Sequence, residues 1–369
     1  MMQNHTIQKS GRLYALDIFR GATMFLLIAE AAGFHEHFYA WSEHTPFRGL
    51  AEQLIHHPWH GLRFWDLIQP FFMFIVGVAM PFSLRKRLRS GTQGAATRHI
   101  LKRCFLLFAF GVLLHCVYSH ALVWELWNVL VQMAFTILIA YGIMKLSAPW
   151  QWAISAGLLV LTEILYRAYN PSDPYGQETN FGSFTDLLTM GKTNSGHWVF
   201  INFIPTAAHT IWGVICGKIL LSDSKQHRYK LRYFLVAGAL LCCMGVLLDL
   251  MHITPIIKRI ATTSFTLVSG GIAIWALTFC YWFIDLKGNH YKWLHIFAVV
   301  GTNSIFIYLF SETVGIQWFR GFGMIFTGGL LSPLGIPEGV ILVFNALFVL
   351  FMFWYITRFL DSRKIYFRI

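Results

Sequence analysis

Ten long apolar runs, at roughly 14–33, 65–83, 100–118, 122–144, 150–167, 200–221, 232–249, 263–284, 294–311 and 338–358, leave this sequence little choice of fold. A bilayer-crossing helix needs about 20 mostly apolar residues, and each run approaches that length. Only 12% of the 369 residues are charged and 56% are hydrophobic, whereas soluble domains carry about 25% charged residues. So few charges cannot cover a soluble surface, and a disordered chain is excluded on the same ground. The pattern predicts an all-α, polytopic integral membrane protein, one domain over 1–369. The segment 312–336 is apolar but broken by Gly315, Gly321, Gly323, Gly328, Gly329, Pro333 and Gly335. Glycine is a poor helix former, so this stretch reads as re-entrant or interfacial, with an eleventh span as the alternative.

Charge sets orientation. Of the 29 Lys and Arg, 21 fall on one side of a ten-span arrangement, seven on the other, and Arg20 lies within the first span. Basic residues collect on the cytoplasmic face, so both termini are expected inside and the loops 34–64, 168–199 and 312–337 outside. The net charge of +12 is explained by this bias and does not indicate nucleic acid. The N-terminus shows no cleavable signal, and the first span is expected to direct insertion. The six cysteines lie in or beside apolar segments without a CxxC pair and read as small buried hydrophobes.

Loop 34–64 is the segment richest in chemistry. It holds six of the 16 histidines: His35, His37, His44, His56, His57 and His60. Histidine is the side chain best suited to proton transfer near neutrality. The spacings His35-x-His37 and His56-His57-x-x-His60 could hold zinc, but no HExxH is present and solvated loop histidines explain most of the cluster; no metal is expected. Ionisable residues within spans are costly and tend to face cavities. Asp17 and Arg20, three apart, share a helix face and can pair; the same Arg20 at the inner mouth of a cavity could meet phosphate. Glu30 lies near the outer end of that span with no basic neighbour in sequence. Asp66 opens the second span. Glu125, His209, Asp249, Asn303, Ser304 and Glu312 are further inward-facing candidates, with His209 better read as a structural, helix-bonded residue. No P-loop, dinucleotide fingerprint or nucleophile elbow occurs.

Two stretches carry a resemblance. Arg12-Leu13-Tyr14-Ala15-Leu16-Asp17-Ile18-Phe19-Arg20-Gly21 follows an R-x-x-x-L-D-x-x-R-G pattern. His56 to Gly77 follows H-x-x-W-x-G-x-x-x-x-D-L-x-x-P-x-F-x-F-x-x-G. Together they resemble the heparan-α-glucosaminide N-acetyltransferase family, in its bacterial branch, and cover about the first 85 residues well. The resemblance implies an acetyl-CoA-dependent N-acetyltransferase of a bacterial inner membrane. Acetyl would pass from cytosolic acetyl-CoA to an amino sugar or glycan on the far side. It implies His56 as base or acetyl carrier, with His57 its rival by adjacency, and Asp66 as a catalytic partner. Arg20, Asp17, Arg85, Lys86 and Arg87 would border the cofactor. His57, Trp59, Asn303 and Ser304 would meet the acceptor, with His56 and Trp59 on one face of a helical turn. Where the family pattern has Asn near the outer end of span 1, this chain reads Ile28-Ala29-Glu30-Ala31; Glu30 would then hold the acceptor ammonium. Partners would be a CoA thioester, a saccharide and lipid, with a homodimer as one option. The competing readings are a transporter or flippase for a glycan or lipid-linked precursor, and a structural partner in envelope glycan assembly.

Overall fold

A computed structural model describes residues 13–289 and 291–367. Arg12, which opens the first motif, and Lys9 and Arg368, counted for orientation, lie outside the described residues. The described chain is helical, without strands. Its helices are α1 (Tyr14–Ala31), α2 (Phe34–Trp41), α3 (Arg48–Glu52), α4 (Ile68–Ser90), α5 (Gln93–Tyr118), α6 (Val129–Ile143), α7 (Ala148–Tyr169) and α8 (Phe181–Met190). They continue with α9 (Phe203–Leu221), α10 (His227–Leu250), α11 (Thr263–Cys280), α12 (Leu294–Thr302), α13 (Ser304–Phe310), α14 (Arg320–Leu331) and α15 (Glu338–Ser362).

The inner layer is α1, α4, α9 and α11. Helix α4 packs most closely on α9 because Gly77 and Gly213 meet there. A Cβ on Gly77 would stand 2.1 Å from the Thr210 carbonyl oxygen, and one on Gly213 2.2 Å from that of Phe74. Such small-residue contacts are how helices associate where no water drives them together. Around this core, α5, α10 and α15 turn bulky apolar side chains outward: Phe105, Leu240, Leu247 and Phe351 are all more than half exposed. Large exposed apolar surface of this kind marks contact with a membrane.

Six helices are long and apolar enough to cross a bilayer, or seven if α12 and the helical run from Ser304 to Leu334, bent by 80°, form one broken span. The ten expected from the sequence are therefore not all met by length and composition. The reasons are local. Helix α1 carries Asp17, Arg20 and Glu30 within its 18 residues. The fourth run starts late: Leu122 is 95% exposed in coil, and the Asn128 side chain caps the Leu130 amide at 2.8 Å, so α6 has only 15 residues. Helix α7 carries polar residues that work inside the bundle. Gln151 donates to the Ile143 and Met144 carbonyls at 3.1 and 3.0 Å, and Ser155 accepts from Trp212 Nε1 at 2.9 Å.

The glycine-rich segment 312–336 is more helical than its composition predicts, and its 80° bend against α12 suits a re-entrant segment or a broken span. Most of it is helical, continuing from α13 through a π-turn at Ser311–Phe319 into α14. The helix breaks earlier, at Asn303, whose φ is −120° and ψ 36°. Packing overrides propensity: the Gly315 face receives the Phe353 ring of α15, which would touch an added Cβ at 2.5 Å.

Candidate active site

The loop between α3 and α4 carries His56. It is not the helical turn expected: after Leu54 it runs as bends and extended backbone. Asp66, at the entry to α4, organises it. One carboxylate oxygen accepts the backbone amides of Arg63 at 2.9 Å and His57 at 3.3 Å; the other lies 2.9 Å from His56 Nδ1. With Asp66 ionised, Nδ1 carries the proton and donates, so the Nε2 lone pair is left for chemistry. Arg63 closes the turn by donating Nη1 to the His56 carbonyl at 3.1 Å.

A second loop, 251–262, completes the site. His60 forms an antiparallel bridge with Ile257, and the Gly61 amide donates to the Ile256 carbonyl at 2.9 Å. Asp249 clamps both loops, accepting from His60 Nε2 at 2.7 Å and from the Ile256 amide at 2.9 Å. This pairing fixes the position of Lys258. Its Nζ stands 3.0 Å from His56 Nδ1, 3.4 Å from Nε2 and 3.9 Å from Asp66 Oδ1, with the side chain 7% exposed. Trp198 closes the cluster: its ring lies 5.3 Å from that of His56 and 5.0 Å from the Lys258 ammonium. Burial, then the Lys258 charge, push His56 down to about 4 against the opposing pull of Asp66. Burial likewise lowers Lys258 to about 8, although Asp66 and Glu30 pull it upward.

Gly61 is required by this geometry. Its φ is +142°, and a Cβ would meet His57 Nε2 at 2.5 Å. Backbone strain of this kind costs about 1–3 kcal/mol. Gly61→Ala is expected to disturb the His56 loop, lowering any activity of the site while ligand binding at the opposite end persists. Turnover and calorimetric binding measured on the same preparation would check this.

The other candidates divide by location. Glu30 sits below the dyad, its Oε1 accepting from Trp65 Nε1 at 3.1 Å; the Trp65 ring is 6.3 Å from His56. Glu312, on the neighbouring helix, accepts the Tyr118 hydroxyl at 2.7 Å. Trp59 does not share a helix face with His56. It packs beside buried Tyr166, Val199, Ile257 and Ile260 and anchors the loop. Asn303 and Ser304 lie away from the dyad. Asn303 holds the C-terminal segment, donating to the Ile365 carbonyl at 3.0 Å and accepting the Phe367 amide at 2.9 Å. Ser304 lines a cavity at the other end of the bundle. His209 bonds across to Ser269 Oγ at 2.9 Å and faces the Thr266 carbonyl at 3.1 Å. Glu125 pairs with His115 and Lys192 at 2.6 and 2.5 Å. Among the described residues no three His, Cys, Asp or Glu side chains converge as metal ligands.

That cavity, of about 1520 Å³, enters the bundle from the end opposite His56. Asp17, Arg20, Arg85, Lys86 and Arg87, all singled out in the sequence, line it together with Arg89, Arg103 and His99. Asp17 and Arg20 pair at 2.8 Å, and Arg87 Nη2 lies 2.7 Å from His99 Nε2. Arg103 Nε is buried without a partner among the described residues, which suits an anionic ligand. Phe72, Phe82, Tyr308 and Phe367 supply aromatic walls. Its deep wall reaches Leu27 on α1 and Phe72 on α4. At 1.5 Å per residue these lie about 4.5 Å along α1 from Glu30 and about 9 Å along α4 from Asp66.

No local motif signals Lys258, Trp198 or Arg103. Each is distant in the chain from the motif it serves, and in sequence the two basic residues count only toward orientation.

The fold and site define a helical membrane protein with a His–Asp pair at one end, its carboxylate buried and its imidazole partly exposed, and a polycationic cavity entering from the other. Residues 12–245 match the family model described as heparan-alpha-glucosaminide N-acetyltransferase, catalytic, and the chain belongs to this family of transmembrane acetyltransferases. No curated protein matches it significantly.

Proposed function

We propose that the protein transfers acetyl from acetyl-CoA, bound in the cationic cavity, to the amine of a saccharide that reaches His56 from the opposite side. The observation that carries this reading is the closeness of the two halves: the cavity walls include Leu27, about one helical turn from Glu30 on α1, and Phe72, six residues after Asp66. The phosphates of CoA suit the six Lys and Arg side chains that line the cavity against three Asp, since guanidinium pairs well with phosphate. The aromatic walls suit the adenine, and the thioester arm would run up the bore.

The chemistry follows from the tautomer. The acceptor nitrogen attacks the acetyl carbonyl carbon, and the carbonyl pair moves onto oxygen. The nitrogen then carries positive charge, so its proton is far more acidic than that of a free ammonium and passes to His56 Nε2. Asp66 stabilises the imidazolium that forms. Collapse restores the carbonyl, breaks the C–S bond, and His56 returns the proton to the CoA thiolate. Nε2 is also the atom that would carry acetyl if transfer ran in two steps. Glu30 would hold the incoming ammonium beside Trp65 and take its first proton, which frees the nitrogen lone pair for the attack.

In this reading the chain crosses an inner membrane ten times, counting α1, α6 and α7, whose polar residues face the bundle. The end bearing Arg85–Arg89 and Lys225 is cytoplasmic. Glu43→Cys and Ser224→Cys, both at exposed positions, are expected to react with an impermeant maleimide from opposite sides of intact cells. Labelling of both from one side would contradict the orientation. Activity itself is tested by [¹⁴C]acetyl-CoA and a panel of amino sugars with purified protein; glycan movement without acetylation would instead favour a transporter.

A further inference from the structure

Lys258 lies beyond the residues matched by the family model, which end at 245, yet its ammonium stands 3.0 Å from the His56 ring, opposite in charge to Asp66 at 2.9 Å. We infer that Lys258 is a catalytic residue: its ammonium binds the oxyanion that forms on the acetyl carbonyl. This rests on the acetyl-transfer reading above.

Nδ1 of His56 is committed to Asp66 at 2.9 Å, so the 3.0 Å approach of Lys258 Nζ to that nitrogen cannot be an ordinary hydrogen bond to it. The 3.9 Å gap to Asp66 is also long for a directed pair. The ammonium therefore stands over the imidazole edge, 3.4 Å from Nε2. It is buried, and its donors are not used up by these contacts. An acceptor nitrogen hydrogen-bonded to Nε2 would bring the attacked carbonyl within a few ångströms of Nζ. A cation fixed where negative charge develops, in a site shielded from water, is the arrangement that most lowers an acyl-transfer barrier. No proton is exchanged in this role. Lys258 donates a hydrogen bond to the oxyanion as the C–N bond forms and releases it as the C–S bond breaks.

The position is built, not incidental. The His60–Ile257 bridge and the Asp249 clamp deliver the residue. Trp198 covers both its ammonium and the His56 ring. The charged and titratable groups that face the pair are Asp66 from the turn ahead of α4, Arg63 from its loop, Glu30 from α1, His35 from α2 and Arg259 from the Lys258 loop.

The test compares kcat against pH for wild type, Lys258→Met and Lys258→Arg at saturating acetyl-CoA and amino sugar. Wild type should show a bell. Its acid limb reflects protonation of His56, held low by burial and by Lys258; its alkaline limb reflects loss of the ammonium near pH 8. Lys258→Met should lower the plateau by roughly 10²-fold, as loss of one oxyanion donor does. It should also erase the alkaline limb and move the acid limb upward, because one of the charges opposing Asp66 is gone while burial and Arg259 still hold His56 down. CoA affinity should not change. Lys258→Arg keeps the charge, so the acid limb should stay low and the alkaline limb should move out of range. A Lys258→Met protein that binds CoA normally and keeps the wild-type plateau and both limbs overturns the inference. So does a Lys258→Arg enzyme whose acid limb rises as in the methionine variant. If wild type itself fails to acetylate any amine, the acetyl-transfer reading falls instead, and the two failures are distinct.

Discussion

Replacing His56 with alanine is expected to cut acetyl transfer by about 10²–10⁴-fold, the range for losing a positioned general base, while CoA binding is unchanged. The separation follows from distance: the cationic cavity does not include His56 or Asp66 among its walls. His57→Ala should behave differently. The His57 ring lies over Gly61, and only its backbone amide reaches Asp66, at 3.3 Å; removing the side chain leaves that bond in place. Most activity should remain. Loss of activity in His57→Ala with full activity in His56→Ala would move the role by one residue. Asp66→Asn gives a third point, since an amide cannot stabilise the imidazolium and competes for the Arg63 and His57 amides. A covalent route is read in the same proteins: acid-quenched wild type would retain labelled acetyl, and His56→Ala would not.

Removing the cations of the opposite cavity is expected to raise the Kd for CoA while sparing the dyad. A hydrogen bond to a charged group contributes about 1.5–3 kcal/mol, roughly tenfold or more in affinity. Arg20→Ala should weaken CoA by about that factor. The triple replacement of Arg85, Lys86 and Arg87 should weaken it by about 10²-fold. Dephospho-CoA should discriminate less between wild type and the triple variant than CoA does, because it lacks one phosphate. Added salt should narrow the same differences. Unchanged affinity in both variants would place the donor elsewhere.

Much of this arrangement is legible in the sequence because it is local. Asp17 and Arg20 are three apart on one helix, and the structure pairs them at 2.8 Å. His56 and Asp66 belong to one motif, ten residues apart, and a single loop brings them to 2.9 Å. Arg20 and the Arg85–Arg87 run share one end of the bundle because alternate helix ends face the same side. What sequence could not supply is set by long-range packing. Lys258 reaches His56 across 202 positions, through a bridge of one residue pair. Trp59 leaves the predicted helical turn because its ring is needed among Val199, Ile257 and Ile260. Asn303 looks like a substrate group by type, yet it occupies a helix break and holds the C-terminal segment. The 312–336 segment is helical despite its glycines, two of which, Gly315 and Gly323, admit side chains of α15. The span count differs for a related reason: α1 and α7 are less apolar since their polar groups serve the interior, and hydropathy averages over both faces.

The central claim is that one protein joins a donor held at one end to an acceptor presented at the other. Proteoliposomes with uniform orientation test it directly. [¹⁴C]Acetyl-CoA is supplied only on the Arg85 side and an impermeant amino sugar only on the His56 side. The account predicts labelled N-acetyl sugar in the His56 compartment, none with His56→Ala, and free CoA remaining on the Arg85 side. Product formed only when donor and acceptor share a compartment would contradict it.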